Sequence, residues 1–265
     1  MAAIELRANA KLTRSLRVVG IRDDGMHLIE AEMVSLNFGD DIRIEGDAEG
    51  FVILGDFSQG VPLDSENLVK KTLSKFEVRA AVTLIKNIPN GGGLGGGSSD
   101  AAAIWRWCTS AREPHFQAVE LGADVPFCIT GGRATVKGVG EVLEPLPPID
   151  LDITLIIPPF GVPTGPCYKR WDELGGPRGD YENDLEPAAV SIEPRLALWR
   201  EYLEKLTGIR PRLAGSGSTL FYESNPADLG IKYDVPNDTS IIFPGPNGDI
   251  GYMVATKTAP SYEIG

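Results

Sequence analysis

Polar and apolar side chains alternate with a period of two from Thr13 to Val18, which predicts a strand. The triplet Asp23-Asp24-Gly25 is typical of a turn, and a second strand is expected from His27 to Leu36. Three shorter strands are expected further along, at Ile42–Glu45, Phe51–Leu54 and Val78–Ile85. The first half of the chain is therefore rich in strands.

Helical periodicity appears in both halves of the chain. A helix that ends near Phe76 has its apolar residues on one face, and Asp64 or Ser65 fits its N-cap. In the second half, a helix is expected over Leu196–Leu206. Helices and strands therefore occur in one chain, which predicts a mixed α and β fold.

The segment Glu144–Pro148, with the sequence Glu-Pro-Leu-Pro-Pro, is unsuited to a helix or a strand. We expect a boundary there, between domains of residues 1–148 and 149–265. The second half starts with an expected strand at Ile153–Ile157 and a loop at Pro158–Gly165. A glycine-serine loop at Gly215–Ser218 then precedes strands near Leu220, Ile241 and Met253.

Glycine fills six of the seven positions from Gly91 to Gly97, between a predicted strand and a helix expected over Ala101–Trp107. Without Cβ atoms, such a loop can turn its N–H groups inward and let an anion approach the backbone. The following helix adds its positive end. Ser98 and Ser99 are candidates for the helix cap, for hydroxyl donors or for Mg²⁺ ligands. The pattern predicts a phosphate cradle.

Other interpretations of this loop remain open. Glycine-serine tracts are often flexible linkers, but here predicted elements adjoin the tract on both sides. Gly91, Gly93 and Gly96 formally match the dinucleotide fingerprint, for which Glu113 is the nearest candidate acid. A Walker A loop is excluded because no lysine lies in the tract.

Composition narrows the function classes. The 265 residues carry a net charge of −12, which argues against nucleic acid as a partner. No apolar run is long enough to predict a membrane span. The three cysteines are far apart and form no CxxC pair, which favours a reducing cytoplasm over a disulfide framework. The arginine-rich start also fits a transit peptide, although its strand pattern favours a folded segment.

These motifs together resemble a known family. Pro89–Ala102 resembles the phosphate loop of the GHMP kinases, and its GGGLGGGSS form is typical of the diphosphocytidyl-methylerythritol kinases. Four other segments resemble motifs of that family and follow its order along the chain: Ala10–Leu12, Asp24–His27, Leu121–Phe127 and Gly215–Thr219.

The resemblance implies an α+β fold of two domains, the two-domain GHMP kinase fold. Its N-terminal domain would be ribosomal protein S5 domain 2-like and its C-terminal domain ferredoxin-like, with the active site between them. It implies ATP, with Mg²⁺, as phosphoryl donor and a diphosphocytidyl polyol as acceptor, phosphorylated on its 2-hydroxyl in the non-mevalonate isoprenoid route. Two alternatives stay open: another GHMP kinase, acting on homoserine, mevalonate or a sugar, and a non-catalytic protein on the same scaffold.

The resemblance also implies roles for individual residues. Lys11 and Asp124 would be catalytic: Asp124 as general base, and Lys11 as the cation that keeps it ionised. The ATP-binding residues would be Pro89, Asn90, Gly91, Gly92, Gly93, Leu94, Gly95, Gly96, Gly97, Ser98, Ser99, Gly215, Ser216 and Gly217. The alcohol substrate would contact Thr13, Met26, His27, Thr164 and Tyr168.

Two positions depart from the family pattern. Met26 stands where the family has a tyrosine that covers one face of cytosine. A thioether can touch a ring face but lacks the stacking geometry of an aromatic ring. Thr13 stands at the position where the family usually has an asparagine, directly after the Lys-Ile/Leu pair. Both changes affect the cytidine end of the expected site.

Overall fold

The structure is a computed structural model that describes residues 3–46, 49–109 and 115–262. This part of the chain has an α+β fold. Its strands are β1 Ile4–Ile21, β2 His27–Glu45, β3 Gly50–Leu54, β4 Ala81–Ile85, β5 Arg133–Gly138, β6 Val142–Pro145, β7 Asp152–Ile157, β8 Arg212–Leu213, β9 Leu220–Tyr222, β10 Ile241–Pro244 and β11 Ile250–Ala259. Its α-helices are α1 Leu68–Lys75, α2 Gly96–Cys108, α3 Val125–Thr130, α4 Thr164–Glu173, α5 Glu186–Ile192 and α6 Arg195–Thr207. Short 3₁₀ helices lie at His115–Glu120, Asp180–Glu182 and Pro246–Gly248.

The strands join into one eleven-stranded sheet with the path β3-β4-β2-β11-β7-β9-β8. β2 is its central strand. On one side it pairs with β1, and on the other it pairs in turn with β5, β11 and β4. The pairing of β3 with β4 is parallel, and the other strand pairs are antiparallel.

The last strand connects the two halves of the chain. β11 pairs with β7 over most of its length, and then Thr258 and Ala259 pair with Leu36 and Ser35 of β2. The largest buried cluster likewise contains side chains from both halves, including Trp105 of α2 and Trp199 of α6. Residues 146–151 link β6 to β7 without regular structure. The domain division at residue 148 stays a prediction.

Several predicted elements have different bounds in the structure. β2 is one strand where two had been expected, because its pairing with β1 continues through the middle. Glu144 and Pro145 belong to β6, an edge strand in which a proline costs no ladder hydrogen bond. Thr164 and Gly165, expected in a loop, form the first turn of α4.

Both predicted helix caps in the first half were wrong. Asn67, and not Asp64 or Ser65, caps α1, since its Oδ1 accepts a hydrogen bond of 2.9 Å from the N–H of Val69. α2 begins inside the glycine run. Gly95 is its N-cap residue and has no side chain to accept the bond, so Ser98 and Ser99 lie within the first turn. None of the helices in the described part of the chain is long and apolar enough to cross a bilayer.

A bulge in β1 sets the direction of the residues that follow it. The register with β2 shifts between Asn9 and Lys11. The N–H of Lys11 donates to the carbonyl of Leu94, at 3.0 Å, in the glycine run. Bulges bend a strand and redirect its side chains. This one attaches β1 to the loop before α2.

A buried charge cluster holds both ends of that loop. The ammonium of Lys86, at the end of β4, bonds to the carboxylates of Asp40 on β2 and Asp100 on α2, the latter at 2.7 Å. Asp40 also accepts hydrogen bonds from the backbone of Asn87 and Ile88. The side chains of Lys86, Asp40 and Asp100 are at most 3% exposed. Strand β4 and helix α2 are therefore tied to β2 beneath the glycine loop.

One lysine cannot neutralise two carboxylates, and Asp100 has the poorer set of partners. Its Oδ1 has no hydrogen-bond partner, whereas both oxygens of Asp40 are paired. Burial raises the pKa of Asp100 to about 8; Lys86 lowers it and Asp40 raises it further. Asp100 is therefore the member that keeps a proton near neutral pH.

This proton makes a testable contribution to stability. The unfolded chain releases it near pH 4, whereas the folded protein keeps it up to about pH 8. Folding thus takes up a proton in this window, and stability falls as the pH rises through it. Asp100→Asn mimics the protonated carboxyl at every pH. We expect the Tm of the variant minus that of the wild type, measured by calorimetry, to increase from about pH 4 to about pH 8. A difference that stays constant with pH would contradict the assignment.

Candidate functional site

A cavity of about 1110 Å³ lies where the two halves of the chain meet. The predicted site residues that line it come from six separate segments of the sequence. They are Lys11, Thr13, Met26, His27, Pro89, Asn90, Gly91, Gly92, Gly93, Gly95, Gly96, Gly97, Ser98, Asp124, Thr164, Tyr168, Gly215 and Ser216. Residues far apart in sequence thus surround one space.

Lys11 and Asp124 form an ion pair at the wall of this cavity. The Nζ of Lys11 lies 3.2 Å from Oδ2 of Asp124, and the side chains are 7% and 30% exposed. Lys11 also donates a hydrogen bond of 3.0 Å to Oγ1 of Thr13. The lysine is therefore held on two sides, while part of the carboxylate remains accessible from the cavity.

The backbone places Asp124 at the start of α3 without using its carboxylate. Asp124 is the N-cap residue, yet its side chain makes no capping hydrogen bond. The carbonyl of the preceding Ala123 packs against Gly140, where an added Cβ would lie only 2.1 Å from that oxygen. The carboxylate is thus free to pair with Lys11 and to face a ligand.

The glycine loop passes directly over the stem of Lys11. Gly95 has φ +68°, and a Cβ at this position would lie 2.7 Å from Cγ of Lys11. A side chain here would be strained by its backbone and would also push the lysine away. After Gly95, the first N–H groups of α2 have no partners within the helix, and such groups are able to donate hydrogen bonds to an anion.

The second glycine loop packs on the first through its backbone. The N–H groups of Ser218 and Thr219 donate to the carbonyls of Gly91 and Gly92, each at 3.2 Å. A Cβ at Gly215 would lie 3.6 Å from Nζ of Lys11, so this loop also approaches the ion pair. Both glycine motifs of the sequence thus converge on Lys11.

Three of the predicted phosphate-binding residues do not line the cavity. Leu94 is buried in an apolar cluster. Ser99 is buried too, and its hydroxyl lies 3.5 Å from Sγ of Cys128. Gly217 packs against the side chain of Leu213. Ser98 is therefore the serine of the pair that faces the cavity.

At another part of the cavity, His27 rests against α4. Its Nε2 lies 2.8 Å from Oδ1 of Asp172. Its ring centroid is 4.7 Å from that of Tyr168, with the ring planes inclined by 32°. The ring of Trp171 meets it edge-on at 5.7 Å. Met26, the neighbouring residue, is 45% exposed and also lines the cavity. Neither Trp171 nor Asp172 was predicted from the sequence to belong to the site.

Two polar contacts connect α4 and the following loop to the second glycine motif. The hydroxyls of Thr164 and Ser216 lie 3.1 Å apart. The buried amide of Asn183 donates to the carbonyls of Leu213 and Gly215, at 2.9 and 2.8 Å. Asn183 gave no signal in the sequence, because its role depends on carbonyls 30 residues away along the chain.

Sequence reasoning also missed an apolar end of the cavity. Val61, Pro62, Leu68 and Ile88 line it there. The amide of Asn67 shapes this segment by donating to the carbonyl of Pro62 at 2.8 Å. The segment before α1 has no motif, and only the packing of α1 beside α2 brings it to the cavity. Glu113, the acid considered for a dinucleotide site, lies outside the described residues.

Burial keeps the neighbouring titratable groups neutral. It raises the pKa of the Cys128 thiol to about 12, and it also raises the pKa of Tyr168. The thiol of Cys128 and the phenol of Tyr168 therefore add no charge beside the ion pair of Lys11 and Asp124. In the part of the chain that the structure describes, no three His, Cys, Asp or Glu side chains are grouped to hold a metal ion.

Comparison with known proteins identifies the family. Residues 67–132, from the cap of α1 to the start of β5, match the family described as GHMP kinases N terminal domain. Two relatives are named 4-diphosphocytidyl-2-C-methyl-D-erythritol kinase. That of Paracoccus denitrificans is 34% identical over 81% of this chain and 84% of its own. That of Cereibacter sphaeroides is 36% identical over 84% of this chain and 91% of its own.

A solved structure agrees with these relatives. The crystal structure of a 4-(cytidine 5'-diphospho)-2C-methyl-D-erythritol kinase has a TM-score of 0.71 and 27% identity, and it covers 97% of this chain and 100% of its own. The α+β GHMP kinase fold predicted from the motifs is thereby confirmed. The chain therefore belongs to the 4-diphosphocytidyl-2-C-methyl-D-erythritol kinase family of the GHMP kinases.

Proposed function

We propose that this enzyme transfers the γ-phosphoryl group of ATP to the 2-hydroxyl of 4-diphosphocytidyl-2-C-methyl-D-erythritol, a step of the non-mevalonate route to isoprenoid precursors. The names of its relatives support this substrate. The observation that carries the proposal is the 3.2 Å pair of Lys11 and Asp124, which lies against the glycine loop in one cavity.

The triphosphate would bind at the start of α2. The unpaired N–H groups of Gly96, Gly97 and Ser98 give it hydrogen bonds and the positive end of the helix dipole. Local amides serve this purpose in a chain whose net charge is −12. The second loop, at Gly215–Gly217, would close on the phosphates from the other side. The apolar end formed by Val61, Pro62 and Leu68 suits the adenine base.

Phosphoryl transfer depends on positioning and on neutralisation of charge. Asp124 would accept the proton of the attacking hydroxyl, an effect worth about 10²- to 10⁴-fold in rate. The ammonium of Lys11 pairs with Asp124 at 3.2 Å, and it would also balance the charge that develops between the alcohol oxygen and the phosphorus. Thr13 holds Lys11 in this position.

Magnesium would act on the phosphates. Oxygen ligands suit Mg²⁺, and next to the glycine loop the hydroxyl of Ser98 and the carboxylate of Asp124 would provide them. Asp100 is unsuited as a Mg²⁺ ligand, because its carboxylate is buried and already bonds to Lys86. When bound with ATP, the ion neutralises charge on the transferred group.

The cytidine end of the substrate would bind between β2 and α4. His27 and Tyr168 are the groups that we propose to contact the base, with Met26 at the edge and Thr164 near the diphosphate. The enzyme is proposed to work in the cytoplasm, where the thiols of Cys108, Cys128 and Cys167 would stay unpaired, as they are in the structure.

Other functions fit the site less well. A non-catalytic protein on this scaffold would not need the pair of Lys11 and Asp124, which is intact. The two relatives named above are kinases, which counts against a dinucleotide-dependent oxidoreductase. Another GHMP kinase activity is the closest rival, since Met26 weakens the stacking expected on cytosine.

The substrate is tested by measuring ADP release with a panel of alcohols. We expect turnover with 4-diphosphocytidyl-2-C-methyl-D-erythritol, and a product that has gained one phosphoryl group by mass spectrometry. Free methylerythritol, homoserine and mevalonate should give only background, because none of them fills the part of the cavity beside His27. If homoserine or mevalonate is turned over faster than 4-diphosphocytidyl-2-C-methyl-D-erythritol, the proposed substrate is wrong, but the assignment as a kinase stands.

The base is tested by Asp124→Asn. The amide cannot take a proton, so kcat should fall about 10²- to 10⁴-fold. The Kd for ADP, measured by calorimetric titration, should change little, because the nucleotide is held mainly by backbone amides. Turnover of this variant at the wild-type rate would remove Asp124 from the mechanism.

The contact between the glycine loop and Lys11 is tested by Gly95→Ala. The new Cβ would collide with Cγ of Lys11 and displace its ammonium, and we expect kcat to fall about 100-fold. Gly50→Ala on β3 is the matched control, since its Cβ meets only that of Ala81, at 3.8 Å. If both variants keep wild-type kcat and Tm, the loop does not hold Lys11 in place.

A further inference from the structure

Asp172 is a residue of α4 to which neither the motifs nor the comparisons assign a role. Its carboxylate oxygen Oδ1 lies 2.8 Å from Nε2 of His27. His27 begins β2 in the first half of the chain, whereas Asp172 belongs to the second. The contact therefore spans the two halves at the mouth of the cavity that both residues line.

Three residues of α4 hold the imidazole in one orientation. Tyr168, Trp171 and Asp172 are spaced at i, i+3 and i+4, so they share one face of the helix. Tyr168 lies under the ring and Trp171 meets it edge-on. Trp171 is itself fixed, because its Nε1 donates to the carbonyl of Pro177 at 2.9 Å. The side chain of His27 is only 11% exposed as a result.

The hydrogen bond with Asp172 decides which ring nitrogen carries the proton. A carboxylate offers only acceptor atoms, so Nε2 of His27 must be the donor. In a neutral imidazole the other nitrogen, Nδ1, is then an acceptor. Among the described residues, none makes a hydrogen bond with Nδ1. The ring thus has one acceptor left for a ligand in the cavity.

We propose that Asp172 is a positioning residue that makes the site select cytosine over uracil, acting through His27. Cytosine has an amino group at the position where uracil has a carbonyl oxygen. An acceptor at Nδ1 pairs with that amino group and opposes the carbonyl.

This inference rests on the proposed function, because it assumes a nucleoside diphosphate substrate. It goes further by naming the atom that distinguishes two such substrates. The same logic operates wherever a carboxylate fixes a histidine tautomer and thereby sets the hydrogen-bonding capacity of the opposite nitrogen.

The test compares Asp172→Ala with the matched control Glu173→Ala. Asp172 is 42% exposed on its side chain, so its removal should leave Tm unchanged. Glu173 is the next residue on α4, carries the same charge and pairs with Arg170 outside the cavity. For each protein, kcat/KM is measured with the cytidyl substrate and with its uridyl analogue.

We expect the wild type and Glu173→Ala to prefer the cytidyl substrate by at least about 100-fold. In Asp172→Ala this preference should fall about tenfold, chiefly through a higher KM for the cytidyl substrate. An unchanged preference in this variant, while the wild type is active and selective, would overturn the inference and leave the proposed function intact.

A second measurement is independent of turnover. The long-range ¹H–¹⁵N correlation spectrum of the two histidines reports which nitrogen of each is protonated, and His115 serves as the internal reference. At pH 8 we expect His27 to carry its proton on Nε2 in the wild type and to be a mixture of tautomers in Asp172→Ala. Addition of CDP, but not UDP, should perturb the Nδ1 signal. A proton on Nδ1, or an equal response to both nucleotides, would refute the inference even if the chain proved to be no kinase.

Discussion

The contact between Lys11 and Asp124 is the interaction on which the rest of the site depends. A largely buried ammonium needs a negative partner, and Asp124 supplies it at 3.2 Å. The lysine is brought there by a bulge in β1, and the aspartate by the start of a short helix. Gly95 lies against the lysine stem because it has no side chain. The bulge in β1, the start of α3 and the glycine at position 95 therefore all serve to place this one ion pair.

The sheet explains why the pair faces a cavity with two different ends. β11 closes the sheet by joining β7 to β2, so the two halves of the chain share strands and a core. The glycine loops then meet from opposite halves, and their backbones bond to each other. Both glycine loops are thus attached to one continuous sheet.

Charge is handled differently at three places in this acidic molecule. Beneath the loop, the side chains of Asp40 and Asp100 share Lys86. Two negative charges beside one lysine are avoided because the raised pKa of Asp100 lets it keep its proton. At the centre, one lysine faces one carboxylate. At α4, Asp172 bonds to the ring of His27. The net charge of the chain therefore says little about what the cavity binds, because local partners decide it.

The sequence by itself determined the mixed α and β class, the glycine run between a strand and a helix, and the candidate pair Lys11 and Asp124, because periodicity, glycine spacing and short motifs are local properties of the chain. It did not predict β5 and β6 or the helices α3, α4 and α5. Only the tertiary structure decided that β2 is one strand, that Ser98 rather than Ser99 faces the cavity, and that Asp172 meets His27. These depend on which distant segments pack together. Side-chain partners across a fold leave no pattern in a single sequence, since any exposed aspartate looks alike until its neighbour is known.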